Sequence, residues 1–290
     1  MRSRRHSSFL IRNSKFLILF ALFACSSPEL QSPTDDLGRP VALTTKITRV
    51  VSLAPNITEI LFSIGAGDRL VATDDFSNFP AAARRVPKVG GMQPNVEKIA
   101  ALKPDLVIAS TEGNHPSLAP ALAAAGIPLY VVRTDRLDQI APAMERLGRL
   151  LEAPRTDDAV RALRGAIEAQ RRTRARSPRI LFAVWTDPLY VAGRHTFTED
   201  LMQLTGAKNA VAVEGWPQYS LESLAASPPE LLVYPRGAVT PQQVDALMKR
   251  VPELHAEVVS VNEDIFQRPG PRVAAAAKAL NAILDERGFR

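Results

Sequence analysis

Two stretches of this chain decide its fold: Asn95-Val-Glu-Lys-Ile-Ala-Ala-Leu-Lys-Pro-Asp-Leu-Val-Ile108 and, 125 positions later, Ser220-Leu-Glu-Ser-Leu-Ala-Ala-Ser-Pro-Pro-Glu-Leu-Leu-Val233. Each copy starts with a helix-capping residue, places a glutamate in the first helical turn, presents an apolar face, and breaks at proline before a buried strand. The repeat predicts two lobes that are built alike, and the chain is long enough to give each lobe its own core.

Strands and helices alternate around both copies of the repeat. We predict strands at 49–53, 69–72, 105–109 and 128–132 in the first lobe, and at 179–184, 230–234 and 258–261 in the second. Helical patterns occupy most of the intervals, and a closing helix is predicted at 273–286. Such alternation is typical of mostly parallel sheets that are covered by helices on both faces.

A long helix is predicted between the lobes, from Thr156 to about Arg176, because this segment has an apolar stripe and no proline. At ~1.5 Å per residue it would be about 30 Å long. The predicted fold class is therefore α/β: two similar lobes, 47–153 and 178–290, are joined by one long backbone helix within 154–177. A ligand cleft is expected between the lobes, where the carboxyl ends of parallel strands commonly bind ligands.

The first 25 residues have the pattern of an export signal. Basic residues but no acidic ones precede Cys25, and the apolar run 16–24 is too short to span a bilayer. The segment Leu22-Phe-Ala-Cys25 resembles a bacterial lipobox, and Cys25 is the only cysteine, which excludes an internal disulfide. We therefore predict an exported protein, periplasmic or at the cell surface, that is lipid-anchored to the membrane through Cys25. Secretion without lipidation is the alternative.

Residues 26–46 are predicted to form a disordered tether between the lipid and the folded body. The stretch 26–40 is rich in serine, proline, aspartate and glutamine and shows no apolar period. Such a composition cannot bury enough apolar surface to order itself.

The charge of the chain does not indicate a nucleic-acid-binding protein. The net charge is +6, but five of the basic residues lie in the leader, so the mature protein would carry about +1. The arginines at 171, 172, 174 and 176 are interpreted as a solvated helix end, where cations favour the helix dipole.

Several motifs resemble those of the periplasmic cobalamin-binding proteins. The resemblance is carried by Arg49-Val-Val-Ser-Leu-Ala-Pro-Asn-Ile-Thr-Glu-Ile60, by 97–109, and by Trp216-Pro-Gln-Tyr-Ser220. These proteins belong to the importer binding proteins with a single helical backbone, whose other members carry ferric siderophores, haem or metal ions. The resemblance implies a protein that delivers a corrinoid to an ABC permease with its ATPase and catalyses no reaction. We also expect a monomer, without a resident cofactor or a nucleic-acid partner.

The same resemblance assigns roles to individual residues. In the family, one acidic residue on each lobe contacts arginines of the permease, and those positions match Glu97 and Glu222. The positions of ligand contacts match Phe76, Tyr190, Trp216 and Asp264. Flat aromatic side chains suit a corrin ring, because they supply a large apolar contact and lose little side-chain entropy.

The N-terminal lobe departs from the family pattern. Gly91 and Ser110 stand where two tryptophans are expected, and Trp185 is predicted to face either the cleft or the core. Another corrinoid, a ferric siderophore or haem therefore remains an alternative ligand. Candidate axial ligands for haem are Tyr190, His115 and Met92.

Other functional classes find less support in the sequence. It contains no nucleophile elbow, P-loop or dinucleotide glycine fingerprint, and no histidine and aspartate form an evident triad with Ser52. The histidines at 6, 115, 195 and 255 lack metal-ligand spacing. An enzyme, a metal-ion receptor and a purely structural surface lipoprotein are therefore the weaker alternatives.

Overall fold

The computed structural model describes residues 32–43, 46–111 and 117–290. The predicted export signal, the predicted lipidation site Cys25 and the first part of the predicted tether lie outside the described residues, as does His115. Residues Ser32–Arg290 form one compact unit. Within the described ranges, no helix combines the length and the apolar composition that crossing a membrane requires.

The sheet of the N-terminal lobe is parallel and nearly all of its residues are buried, as expected when helices cover both faces. Its order is β2-β1-β3-β4, where the strands are β1 (Val50–Ser52), β2 (Leu70–Thr73), β3 (Leu106–Ser110) and β4 (Leu129–Val132). Its helices are α1 (Pro55–Ser63), α2 (Val96–Ala101) and α3 (Leu118–Ala124), with short 3₁₀ helices at Gly67–Arg69 and Ala81–Arg85. Val50 lies opposite both Leu70 and Leu106.

The connection between the lobes consists of α4 (Leu137–Leu150) and α5 (Thr156–Glu168). The predicted backbone helix corresponds to α5, but it ends at Glu168, and the predicted extension to Arg176 is wrong. At ~1.5 Å per residue, α5 is about 20 Å long. The connection therefore includes a non-helical stretch before the second sheet begins.

Arg174 explains why the chain leaves the helix early. Its side chain is drawn into the C-terminal lobe, where the guanidinium donates to Thr205 O at 2.7 Å, to Asn281 Oδ1 at 2.8 Å and to Asp285 Oδ1 at 2.6 Å. The residue is buried, so the interpretation of this position as part of a solvated helix end is also wrong. A buried guanidinium needs such partners, and Arg174 reaches them from the non-helical stretch that follows α5.

The sheet of the C-terminal lobe is mostly parallel. Its order is β6-β5-β8-β9 with β7 beside β5, and only the β5–β6 pair is antiparallel among the described strands. The strands are β5 (Arg179–Thr186), β6 (Leu189–Val191), β7 (Lys208–Asn209), β8 (Leu231–Arg236) and β9 (Glu257–Asn262). The helices are α6 (Phe197–Leu204), α7 (Leu221–Ala226), α8 (Pro241–Arg250), α9 (Glu263–Phe266) and α10 (Val273–Glu286). The predicted α/β fold class with mostly parallel sheets in two lobes is confirmed.

The two copies of the repeat form the same structure. Helices α2 and α7 begin and end 125 positions apart, and each is capped by the residue before it. Asn95 Oδ1 accepts from the backbone N–H of Lys98 at 2.8 Å, and Ser220 Oγ accepts from that of Ser223 at 3.0 Å. These side chains satisfy backbone donors that the first helical turn leaves unpaired.

The acidic residue after each proline break also has the same task in both lobes. Asp105 Oδ2 accepts from the backbone N–H of Arg49 at 2.8 Å, and Glu230 Oε2 accepts from that of Arg179 at 3.0 Å. Each carboxylate thus holds the start of the first strand of its own sheet.

The apolar core is shared between the lobes. One face of each sheet packs into a continuous cluster with α1, α4, α5, α6 and α10, in which the rings of Phe182 and Phe266 stack with centroids 6.4 Å apart. The opposite face of each sheet forms a smaller separate core, around Val107 in the N-terminal lobe and Leu232 in the C-terminal lobe. Separate cores were predicted, but the shared core was not. Because large lobe movements would expose it to water, we expect closure motions to be small.

Residues 32–43 are ordered, and the prediction of a disordered tether is wrong for them. Asp35 accepts from the backbone N–H groups of Leu37 and Arg39 and pairs with the Arg39 guanidinium at 2.6 Å. The backbone N–H of Asp36 donates to Val131 O at 3.0 Å, so the segment covers the edge of β4. Composition alone did not reveal these contacts, because they depend on a strand that follows about 90 positions later.

Candidate ligand-binding cavity

A cavity of about 400 Å³ lies where the carboxyl ends of the two sheets meet. Its N-terminal wall consists of residues that follow β1 and β2 together with Ser110, the last residue of β3, and its C-terminal wall consists of residues that follow β9. The lining residues are Ala54, Pro55, Asn56, Phe76, Met92, Ser110, Glu263, Asp264, Gln267, Arg268 and Pro269. Ligands of open parallel sheets are expected at this edge. The structure therefore places a cavity where the sequence predicts the cleft.

Phe76 projects from the loop after β2 and is 51% exposed. The loop turns because Asp74 Oδ2 accepts from the backbone N–H of Phe76 at 3.1 Å. The ring lies close to Gly91: a Cβ added at that glycine would be 3.0 Å from Phe76 Cε2 and 3.2 Å from Cζ. The missing side chain at 91 therefore leaves room for the Phe76 ring in its present position.

Buried polar groups hold the base of this loop. Ser77 Oγ donates to Asp74 Oδ1, while Lys88 Nζ donates to Ser77 O at 2.6 Å and to Thr73 Oγ1 at 2.7 Å. Burial raises the pKa of Asp74 above its usual value, and the hydrogen bond from Ser77 opposes that change. Burial likewise lowers the pKa of Lys88. The exposed ring of Phe76 thus stands on a loop whose base consists of the buried Thr73, Asp74 and Ser77 and the partly buried Lys88.

Asp264 lies in α9, directly after β9, and both lobes fix its carboxylate. Arg268 Nη2 contacts Asp264 Oδ1 at 2.5 Å, and Asn78 Nδ2 donates to Oδ2 at 3.2 Å. Because Asn78 belongs to the same loop as Phe76, this hydrogen bond joins the two walls. The structure thus brings together two of the predicted ligand residues, Phe76 and Asp264.

The other predicted ligand residues lie outside the lining of this cavity. Tyr190 is 39% exposed and pairs with Trp185 across the β5–β6 hairpin, while Trp216 is 43% exposed. The chain of Trp216 runs beside β6, where the backbone N–H of Val191 donates to Pro217 O at 3.2 Å. Gly193 permits this approach, since a Cβ there would be 2.1 Å from Val213 O. Trp185 is 42% exposed, so it does not belong to the core.

Glu97 and Glu222 occupy equivalent places on α2 and α7. Both lie in the first turn and are exposed, and neither makes an ion pair with any residue that the structure describes. A helix that precedes a parallel strand starts near the carboxyl edge of the sheet, so each glutamate lies toward the side of its lobe that carries the cavity.

Sequence reasoning missed most of the polar lining, including Asn56, Glu263, Gln267 and Arg268. A usable signal was present for Asn56, because it follows the buried strand β1 and such positions often contact ligands. Arg268 had a weaker signal, four residues after Asp264 in a segment rich in proline and glycine. Its partners lie far away in the chain, and the sequence alone does not indicate them.

The remaining polar candidates do not converge. Within the described ranges, no three histidine, cysteine, aspartate or glutamate side chains could together hold a metal ion. His195 Nδ1 lies 3.2 Å from Arg136 Nη1, and its Nε2 lies 3.3 Å from Glu214 Oε1. His195 is therefore engaged in side-chain contacts outside the cavity.

A larger depression of about 540 Å³ lies beside α4, α5 and α6. Its rim carries Arg136, which pairs with Asp200 at 2.5 Å, and Arg171, which pairs with Glu168 at 2.9 Å. The hydrogen bonds that Arg136 donates to the Asp200 carboxylate raise the pKa of Arg136. The smaller cavity is the better candidate site, because it lies at the carboxyl ends of the parallel strands and is lined by Phe76 and Asp264.

Similarity to known proteins extends over most of the chain. A family model described as "Periplasmic binding protein" matches residues 50–257. The vitamin B12-binding protein of Yersinia pestis is 35% identical over 239 residues, which cover 80% of this chain and 84% of that protein.

Solved structures share the arrangement of the two sheets. The periplasmic vitamin B12-binding protein of Vibrio cholerae has a TM-score of 0.67 at 27% identity and covers 84% of this chain and 99% of its own. The periplasmic haem-binding protein of Roseiflexus sp. RS-1, in its apo form, has a TM-score of 0.73 at 25% identity and covers 81% and 97%. Proteins named for different ligands thus share this fold.

Proposed function

Because this chain belongs to the periplasmic binding protein family, we propose that it binds a corrinoid of the cobalamin type in the cavity between its lobes. It then delivers the ligand to an ABC permease that works with an ATPase. In this function the chain binds and releases its ligand and catalyses no reaction.

The observation that carries the proposal is the pairing of Phe76 and Asp264 across one cavity. An exposed aromatic ring on one wall offers an apolar face to a flat macrocycle, and a carboxylate on the other offers hydrogen-bond acceptors to its amide substituents. The cavity of about 400 Å³ lies in the range of small-molecule sites. The identity to a vitamin B12-binding protein favours a corrinoid among flat ligands.

Tyr190 and Trp216 extend the proposed contact surface on the C-terminal lobe. Both are more than a third exposed, although water covers apolar rings at a free-energy cost. In the proposed complex they contact the part of the ligand that projects from the cavity. Trp185, beside Tyr190, belongs to the same exposed aromatic group.

Calorimetric titration with cyanocobalamin tests the proposal. We expect saturable binding by the wild type and a loss of affinity of about tenfold or more in Phe76→Ala, since a central aromatic contact is removed. Leu37→Ala is the matched control: Leu37 is 47% exposed, similar to Phe76, but lies outside the cavity, so its loss leaves the affinity unchanged. Absence of saturation up to ~100 μM, where binding would contribute less than about 5.5 kcal/mol, contradicts the proposal.

Haem is the second candidate ligand, and a specific observation favours it. Met92 lines the cavity with an exposed side chain, and its thioether is a possible axial ligand for haem iron. Titration with haem distinguishes the candidates. A Soret shift that disappears in Met92→Leu supports haem, and tight cyanocobalamin binding that Met92→Leu leaves intact supports the corrinoid.

Glu97 and Glu222 are proposed to dock the permease. Their matched positions, exposure and lack of ion-pair partners among the described residues leave both carboxylates available to arginines of another protein. Ion pairs of this kind orient a complex and accelerate its formation more than they add affinity.

Cys25 is proposed to carry the lipid that anchors the exported protein to the membrane. The proposal rests on the lipobox-like Leu22-Phe-Ala-Cys25. Metabolic labelling with a radioactive fatty acid should mark the wild type, and Cys25→Ser should abolish the label and release the protein from the membrane. A membrane-bound, unlabelled wild type would contradict it.

A further inference from the structure

A buried carboxylate of the N-terminal lobe holds arginines of the C-terminal lobe beside the cavity. Glu59 lies on α1 and is only 3% exposed. Arg272 donates to it twice, through Nε at 2.8 Å and Nη2 at 2.6 Å, and Arg268 Nη1 donates at 3.3 Å. A carboxylate so far removed from water is stable only while such partners are present.

The segment 268–272 rests on the first turn of α1. Asn56, three residues before Glu59 on the same helical face, donates through Nδ2 to Pro269 O at 3.4 Å. Gly270 packs against the same side chain, since a Cβ added there would be 3.5 Å from Asn56 Cβ. The contact between the lobes is therefore tight at the floor of the cavity.

Arg268 connects this buried contact to both walls of the cavity. Its guanidinium donates to Phe76 O at 3.2 Å and to Asn78 Oδ1 at 2.8 Å, and it contacts Asp264 Oδ1 at 2.5 Å. Arg272 donates in addition to Asp264 O at 3.3 Å. Phe76 and Asp264, which are proposed to contact the ligand from opposite lobes, are thus held by two guanidinium groups. Both guanidinium groups, those of Arg268 and Arg272, bind the same carboxylate, that of Glu59.

We propose that Glu59 is a positioning residue, which fixes the distance between Phe76 and Asp264 through Arg268 and Arg272 before any ligand arrives. The part of this inference that concerns ligand affinity rests on the proposed function, but the part that concerns the ligand-free protein does not. Without the carboxylate, neighbouring guanidinium groups lose their common counter-charge and repel one another. The Phe76 loop and α9 then lose their shared support, and the site is no longer pre-organised.

Hydrogen exchange by mass spectrometry on the ligand-free full chain tests the proposal in Glu59→Gln, combined with cyanocobalamin affinity. We expect exchange about tenfold faster or more in 74–79 and 263–268, and an affinity loss of similar size. The matched control is Asp200→Asn, which weakens another bidentate ion pair between the lobes, with Arg136 Nε at 2.7 Å and Nη2 at 2.5 Å. This control should change neither segment, because Arg136 and Asp200 do not line the cavity.

Unchanged exchange in both segments of Glu59→Gln, or an equal increase in Asp200→Asn, overturns the proposal. Faster exchange in Glu59→Gln alone supports it even if the wild type binds no corrinoid, and that combination would refute the proposed ligand instead. If Glu59→Gln does not fold, Arg272→Lys decides the question, since lysine keeps the charge but cannot form the bidentate pair. Faster exchange in the same segments then supports the proposal, and unchanged exchange overturns it.

Discussion

The two lobes are nearly identical at the repeat helices α2 and α7, but they differ at the walls of the cavity. Helices α2 and α7 match in length, cap, burial pattern and exposed glutamate. The cavity walls share none of this: one presents Phe76 and Met92, and the other presents Asp264 and Arg268. A symmetric surface suits a partner that approaches both lobes in the same way, while an asymmetric cavity suits a ligand with two unlike faces.

Charge reversal on the symmetric surface should have the largest effect. Replacing Glu97 and Glu222 together by lysine should abolish uptake in cells, because each lobe would repel the arginines with which it is proposed to pair. Ligand affinity, measured by calorimetry, should stay unchanged, since neither residue lines the cavity.

The matched control for this variant changes the charge by the same amount elsewhere. Asp245 and Glu253 are exposed and make no ion pair with any described residue, so their joint replacement by lysine should leave uptake near the wild-type level. Normal uptake by the Glu97 and Glu222 variant, or an equal loss of uptake in the control, would contradict the proposal that these two glutamates dock the permease.

A substitution at Gly91 should have an intermediate effect, which would show how strongly the Phe76 wall of the cavity contributes to ligand affinity. In Gly91→Ala, the new Cβ lies 3.0 Å from the Phe76 ring, which must move by a few tenths of an ångström. We expect cyanocobalamin affinity to fall roughly threefold to tenfold, as a displaced anchor fits less well.

Gly165→Ala is the control for the added methyl group. Nothing lies within 4 Å of the position where its Cβ would be, and the residue is in α5. We expect unchanged affinity and a stability gain of up to about 1 kcal/mol from the higher helix propensity of alanine. If Gly91→Ala binds the ligand as the wild type does, the position of Phe76 is not set by this contact.

The smallest effect is expected at Asp105, which has the same structural role as Glu230 in the other lobe and is proposed to contact neither the ligand nor the permease. Asp105→Asn should lower the free energy of unfolding at pH 7 by about 1 kcal/mol, because charged acceptors bind backbone N–H groups more strongly than amides do. The backbone hydrogen bond from Thr48 is the main reason that the pKa of Asp105 lies below its usual value of 3.8.

The pH dependence of this effect follows from the direction of the pKa shift. A lowered pKa in the folded state gives stability that is complete above the unfolded value of 3.8 and is lost as the pH falls through the folded value. Urea denaturation at pH 7 and at pH 3 should therefore show a smaller difference between Asp105→Asn and the wild type at the lower pH. An equal difference at both values would contradict this explanation.

Local patterns in the sequence predicted the repeat well, because its signals lie within a few residues of one another. The cap Asn95 and the break at Pro104 enclose α2 as the structure has it, and the predicted strand 105–109 differs from β3 by one residue at each end. Tertiary contacts caused the errors. Arg174 leaves the predicted helix and binds Asp285 in α10, and the backbone of Asp36 bonds to β4. Neither contact is indicated by neighbouring residues in the sequence, so the end of the backbone helix and the end of the disordered tether were predicted wrongly.

The cavity was predictable only in part for the same reason. The resemblance to a family indicated Phe76 and Asp264, and the structure places both in the lining. It did not indicate Glu59 and Arg268, whose interaction joins positions 209 residues apart. Long-range ion pairs leave no periodic pattern in a sequence, so the support of the site became visible only in the folded chain.

A crystal structure of the protein with cyanocobalamin would show whether the asymmetric walls of the cavity bind the ligand while the symmetric glutamates remain free. We expect the corrin ring against Phe76, a substituent near Asp264, and Glu97 and Glu222 without ligand contact. Ligand density elsewhere on the protein, or contacts to Glu97 or Glu222, would contradict it.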